Sequence, residues 1–194
     1  YIYYPLHSNP EYSTSVMGTM WQDQITVIEA LAKSIPHDWV VYIKEHPNVM
    51  INRIRPRSMY KRIQEFPNVF IAPVYENSNE IIRNSEMVAV VSGTAGWEAL
   101  LRNKPVIHFT KVFYSEIGLS KTCSDLNSLS KDIRDELVRY NKISDEDKKN
   151  RIICLFSSFL NNGIEVTHPH QLLLEDGSDE QYEIGGKELC PALI

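Results

Sequence analysis

The chain has 194 residues, 43% hydrophobic and 23% charged, which allows one substantial core and is short for two well-formed domains. A formal charge of −5 argues against the broad phosphate-tracking surface of a nucleic-acid binder, whereas a small anionic ligand needs only a local pocket. Three cysteines, Cys123, Cys154 and Cys190, lack C-x-x-C spacing. Neither a disulfide framework nor a zinc site is suggested, no metal or cofactor is expected, and a reducing cytoplasm fits.

The chain opens Tyr1-Ile-Tyr-Tyr-Pro without an initiating methionine and reads as a strand already under way, Ile2–Leu6. The expectation is a piece of a longer protein with a further domain upstream. No run approaches the roughly 18 to 20 apolar residues of a membrane-spanning helix, and no signal peptide is visible. After a polar loop, Met20, Trp21, Ile25, Ile28, Leu31, Ala32 and Ile35 recur at helical spacing. Pro36, His37 and Asp38 end that helix before an apolar run, Trp39–Ile43, suited to a strand buried on both faces.

The pattern then repeats. A loop over 44–56, a helix near Arg57–Phe66 and a strand Val69–Ala72 make a second unit. Helix Ser78–Asn84, strand Met87–Val91, helix Ala95–Arg102 and strand Pro105–Phe109 follow. Strands alternating with helices imply right-handed crossovers and a parallel sheet, so the predicted fold is α/β, a Rossmann-like sheet with helices on both faces. Ligands of such sheets bind outside the carboxyl ends of the strands. Two further helices, about Leu129–Tyr140 and Asp145–Leu160, close the domain, the second opened by a capping-box-like Ser144-Asp-Glu-Asp147. The expected organisation is one Rossmann-like ligand-binding domain over 1–166, with a motif-bearing core 1–114 and a helical part 115–166, then a loose polar tail 167–194.

Three strand exits carry candidate chemistry. VVSGTAGWEALL, Val90–Leu101, puts Ser92, Gly93 and Thr94 in a tight turn between a buried strand and a helix start, where unpaired N–H groups and the helix dipole favour an anion. The Ser92 and Thr94 hydroxyls can donate to phosphate oxygens, and Gly93 and Gly96 permit close backbone approach. Glu98, one turn on, suits ribose or sugar hydroxyls; the same turn also reads as a plain N-cap. Lys44-Glu-His-Pro47 follows the second strand, so His46 can donate to phosphate and stabilise charge on a leaving group, or be a surface histidine. In the first loop, Ser13, Thr14 and Ser15 could approach the phosphates or sugar of a ligand, and Glu11 could meet sugar hydroxyls or a second substrate; a solvated loop with an N-cap is the alternative. Arg53, Arg55 and Arg57 read either as a phosphate clamp or as solvated charges.

The succession YPLHSNPEYST, DQ in a helix, VYIKEHP, FPNVFIAP, SGTAGWEALL and KPVIHF resembles the surface-carbohydrate and capsule-polysaccharide biosynthesis proteins over Tyr3–Tyr114. Those proteins are similar to GT-B glycosyltransferases, including bacterial sialyltransferases and Kdo transferases, which bind a CMP-sugar in the C-terminal Rossmann-like domain. The resemblance implies that His46-Pro47 contacts the nucleotide phosphate and that Ser92 and Thr94 form the phosphate-binding turn. It further implies a nucleotide-sugar donor, a glycan or glycolipid acceptor, other polysaccharide-assembly proteins as partners, and an acceptor domain, with the base or nucleophile, outside this chain. The expected location is the cytoplasm, with peripheral placement at the inner membrane face compatible. Three other functions fit the same residues: a GT-B-fold sugar-nucleotide 2-epimerase, a teichoic-acid-type glycerophosphotransferase, and a non-catalytic nucleotide- or glycan-binding module.

Overall fold

The computed structural model describes residues 1–7, 15–16, 18–46 and 55–162. Six parallel strands form one sheet: β1 Ile2–Pro5, β2 Val41–Lys44, β3 Val69–Ile71, β4 Met87–Val90, β5 Val106–His108 and β6 Ser120–Thr122, in the spatial order β3-β2-β1-β4-β5-β6. The connecting helices are α1 Gln24–Ser34, α2 Arg57–Gln64, α3 Ser78–Asn84, α4 Thr94–Leu101, α5 Leu129–Lys142 and α6 Asp145–Asn162. The chain divides into two compact units, Tyr1–Ile152 and Ile153–Ile194. The first holds the whole sheet; the second is described only through the end of α6.

Strand alternation builds the core. Ile2, Tyr4 and Leu6 of the first strand region, Val41 and Ile43 of β2 and Met87 and Ala89 of β4 pack with Val27, Ile28 and Leu31 of α1 and Leu129 and Ile133 of α5. Every residue of β4 is buried, as a central parallel strand covered on both faces requires. The opposite face takes Ile81 and Ile82 of α3 and Ala99 and Leu100 of α4, which are also buried. Burying each such aliphatic side chain stabilises by about 1.5–3 kcal/mol, before the entropy of ordering it.

All five predicted strands pair in parallel, with small shifts of boundary. The second begins at Val41, because Trp39 is held in a turn by its N–H donating to the Pro36 carbonyl at 3.0 Å, and it extends to Lys44. The first predicted helix is split. A short 3-10 turn, Thr19–Trp21, precedes α1, whose start is fixed by Asp23 accepting from the Ile25 N–H at 3.1 Å and the Thr26 hydroxyl at 2.9 Å. β6 has no apolar run to announce it; Ser120-Lys-Thr is recruited by pairing with β5 at the sheet edge. After α4, Asn103 takes φ 57°, and the N–H groups of Asn103 and Lys104 return to the Leu100 and Ala99 carbonyls, a Schellman closure that turns the chain into β5. Ser144 does cap α6, accepting from the Asp147 N–H at 3.1 Å. The predicted tail 167–194 lies outside the described residues.

Candidate functional site

The chain leaves β1 toward β2 on one side and leaves β4 toward β5 on the other, so the strand order reverses between these two neighbours. A crevice must open outside their carboxyl ends. One of about 270 Å³ is found there, lined by His7 after β1, His46 after β2, Ser92 and Gly93 between β4 and α4, and Thr94 and Ala95 at the start of α4. An adjoining depression of about 160 Å³ shares His46 and Thr94 and adds Tyr3, Lys44, Ser78 and Glu98. A third, of about 190 Å³, lies between the starts of α1 and α2.

His46, Ser92, Gly93, Thr94 and Glu98, predicted from separate motifs, are thus brought onto one stretch of sheet edge. Pro47, Glu11, Ser13 and Thr14 lie outside the described residues, as does Arg53. The N-cap of α4 is Gly93, at φ −77° and ψ 162°, which supplies no side-chain hydrogen bond. A helix leaves its first N–H groups without intrahelical partners, and their partial positive charge is aimed at the crevice.

Two residues that sequence reasoning passed over complete the walls. His7 is buried, and its backbone is gripped by Gln24, whose Oε1 accepts from the His7 N–H at 2.7 Å while Nε2 donates to the His7 carbonyl at 2.9 Å. Its Nε2 accepts from the Ser92 N–H at 3.4 Å, and a Cβ on Gly93 would stand 3.1 Å from that nitrogen. Burial, then the charges of His46 and Arg55, pull the His7 pKa down to about 4, opposed only by the Pro5 carbonyl. Lys44 is equally buried, and its Nζ donates to Ser78 Oγ at 2.9 Å; no carboxylate among the described residues pairs with it. Both residues stand at strand ends, the signal that singled out His46.

The arginine reading is corrected at one position. Arg55 is no phosphate clamp: its Nε pairs with Glu45 Oε2 at 2.8 Å, both side chains are at most 10% exposed, and Nη2 donates to the His7 carbonyl. Tyr60 also donates to Glu45 Oε2, at 2.7 Å, and Glu45 Oε1 accepts from the His46 N–H at 2.8 Å. This buried cluster ties the β2 exit to the β1 exit. Arg57 stands exposed at the start of α2. Gly96 is also corrected. Its open side is filled by Tyr114, whose hydroxyl donates to the Gly93 carbonyl at 3.2 Å, so the missing side chain serves internal packing. Trp97 and Phe113 surround that ring, with centroids 6.0 and 4.9 Å from it.

The all-parallel order and the crevice at its reversal point define a Rossmann-like α/β domain of the kind that forms one half of a GT-B glycosyltransferase. The chain belongs to the capsule polysaccharide biosynthesis protein family, whose model matches residues 14–139. No curated protein sequence matches significantly. Among solved structures, a UDP-GlcNAc 2-epimerase of Methanocaldococcus jannaschii, in complex with UDP-GlcNAc and UDP, is similar at 16% identity and a TM-score of 0.53, covering 81% of this chain and 45% of that one. The beta Kdo 2,7 transferase KpsC of Thermosulfurimonas dismutans is similar at 22% identity and a TM-score of 0.49, covering 66% of this chain and 42% of that one. The chain therefore spans less than half the length of these two structures, and the likeness is one of fold. Among the described residues, no helix is long and apolar enough to cross a membrane, and no group of three or more His, Cys, Asp or Glu is arranged to hold a metal.

Proposed function

We propose that this chain is the donor-binding half of a glycosyltransferase that assembles a capsule or other bacterial surface polysaccharide, with a CMP-sugar as donor and a glycan or glycolipid acceptor. The observation that carries the reading is the convergence of His46, Ser92, Thr94 and the glycine-capped start of α4 on one crevice, with Glu98 and Lys44 in the depression beside it. An acceptor hydroxyl attacks the anomeric carbon, and the nucleotide phosphate leaves with the bonding electron pair. This half lowers the cost of that charge: His46, the Thr94 hydroxyl and the first N–H groups of α4 bind the phosphate, and Glu98 accepts from ribose or sugar hydroxyls. The buried Lys44 ammonium offers a cation to the same ligand. Glu11, Ser13, Thr14 and Pro47 complete the donor pocket in this reading, and another domain supplies the acceptor site and the base or nucleophile. The chain alone then binds nucleotide weakly and turns over little.

Titration calorimetry of CMP, CDP, UDP and GDP with this chain tests the assignment. CMP is expected to bind most tightly, and His46→Ala, Thr94→Ala and Glu98→Ala each to weaken it about ten- to hundred-fold, the equivalent of about 1.5–3 kcal/mol for a hydrogen bond to a charged group. Failure of all four nucleotides to bind, or unchanged affinity in folded variants, overturns it. A sugar-nucleotide 2-epimerase, like the similar M. jannaschii protein, would instead favour UDP and release epimerised UDP-sugar without acceptor.

A further inference from the structure

Resting on the nucleotide-binding reading above, we propose that His7 and the Ser92 N–H form an exchangeable pair: a phosphate oxygen of the ligand replaces His7 Nε2 as acceptor of that N–H, and His7, taking one proton from solvent, donates Nε2–H to the same phosphate. The geometry on both sides of the pair points this way. A backbone N–H can only donate, so Nε2 is the acceptor and the neutral ring carries its proton on Nδ1. At 3.4 Å the bond is long, hence weak and readily surrendered. Nδ1 is buried and makes no well-formed hydrogen bond among the described residues; only the Pro5 carbonyl acts on the proton it carries, so the ring is held loosely on that side. Its place is instead set through the backbone, by Gln24 and Arg55.

A protonated Nε2 facing the Ser92 N–H would oppose donor to donor. Proton uptake and release of that N–H are therefore one event, and an anion in the crevice accepts from both groups. The surroundings hold the ring neutral until such an anion arrives. His46 at the β2 exit and Arg55, itself paired with Glu45, act against a charge on His7; α1 faces it with the neutral Gln24 amide and β1 with the Tyr4 ring, 6.1 Å away between centroids. The β4–α4 turn contributes the Ser92 N–H and the close approach of Gly93. A phosphate dianion reverses the sign of that field.

The test is titration calorimetry of CMP into this chain at about pH 6 in buffers of low and high ionisation enthalpy, for the wild type and His7→Gln. The wild type is expected to take up between about half and one proton more than His7→Gln. Its affinity should also fall by up to about tenfold per pH unit above the free-state pKa of His7, a slope that His7→Gln lacks. A proton carried by the nucleotide itself would appear equally in both proteins, and equal uptake overturns the pair while leaving nucleotide binding intact. Absence of binding by CMP, CDP, UDP and GDP alike overturns both. As a check independent of any variant, the ¹⁵N resonance of His7 Nε2 must change from acceptor type to donor type on adding CMP; an unchanged resonance with CMP bound also overturns the pair.

Discussion

The Tyr114 hydroxyl stands 2.1 Å from the position that a Cβ on Gly96 would occupy, while the same hydroxyl donates to the carbonyl of Gly93. One contact thus joins the interior of α4 to its N-cap, and so to the crevice wall. Alanine is otherwise the better helix former by about 1 kcal/mol, yet Gly96→Ala must displace Tyr114 and is expected to destabilise by about 1–3 kcal/mol. Removing the hydroxyl relieves part of the clash, so Gly96→Ala with Tyr114→Phe should be less destabilised than the sum of the single variants by about 0.5–3 kcal/mol. Urea unfolding of the four proteins measures it, and strict additivity would show the contact to be unimportant.

Glu45 and Arg55 give a second prediction. Truncating Arg55 leaves a carboxylate that is 3% exposed without its ion pair, and Arg55→Leu is expected to cost about 3–5 kcal/mol. Replacing both residues, Glu45→Leu with Arg55→Leu, should recover much of that loss, because the uncompensated buried charge is gone. A double variant no more stable than Arg55→Leu would contradict this.

For the unliganded chain, His7 makes stability depend on pH in a defined window. Its folded pKa, about 4, lies below the ordinary 6.5, so between these values the unfolded chain binds more protons than the folded one. The contribution of a neutral His7 is fully present above about pH 6.5 and is lost on acidification toward pH 4, by about 3 kcal/mol. Comparing denaturant unfolding of the wild type and His7→Gln across that window isolates it. A constant difference between the two proteins would remove His7 from the account of acid sensitivity.

Lys44 is expected to separate stability from binding. A buried ammonium with no carboxylate partner among the described residues is costly to hold, so Lys44→Met should leave the melting temperature unchanged or raise it. CMP affinity should nevertheless fall by about tenfold or more if the ammonium serves the ligand. A loss of stability with no loss of affinity would make Lys44 a packing residue.

Glu98 should be read through the hydroxyls it is proposed to bind. In the wild type, 2′,3′-dideoxy-CMP is expected to bind about ten-fold more weakly than CMP, and Glu98→Ala to abolish the difference. Calorimetry with both nucleotides against both proteins gives the coupling directly. If the discrimination survives in Glu98→Ala, its partner is the sugar or nothing.

By itself the sequence determined the alternation of strands and helices, because each apolar run from Ile2 to Phe109 is long enough to be buried and is punctuated by prolines and polar turns. It also placed His46, Ser92 and Thr94 at strand exits, with Glu98 one turn into the helix that follows, since residues after parallel strands share one edge. Tertiary structure alone decided what those exits meet. Three-residue β6 exists only because β5 offers it a pairing partner, and Arg55 becomes an ion-pair residue only because Glu45, ten positions earlier, is buried beside it. His7 and Ser92 are 85 residues apart, and no local pattern announces a contact set by the neighbouring places of β1 and β4 in the sheet. Gly96 shows the same limit from the other side. A glycine marks missing volume, but whether a ligand or Tyr114 fills that volume depends on atoms contributed by a distant part of the chain.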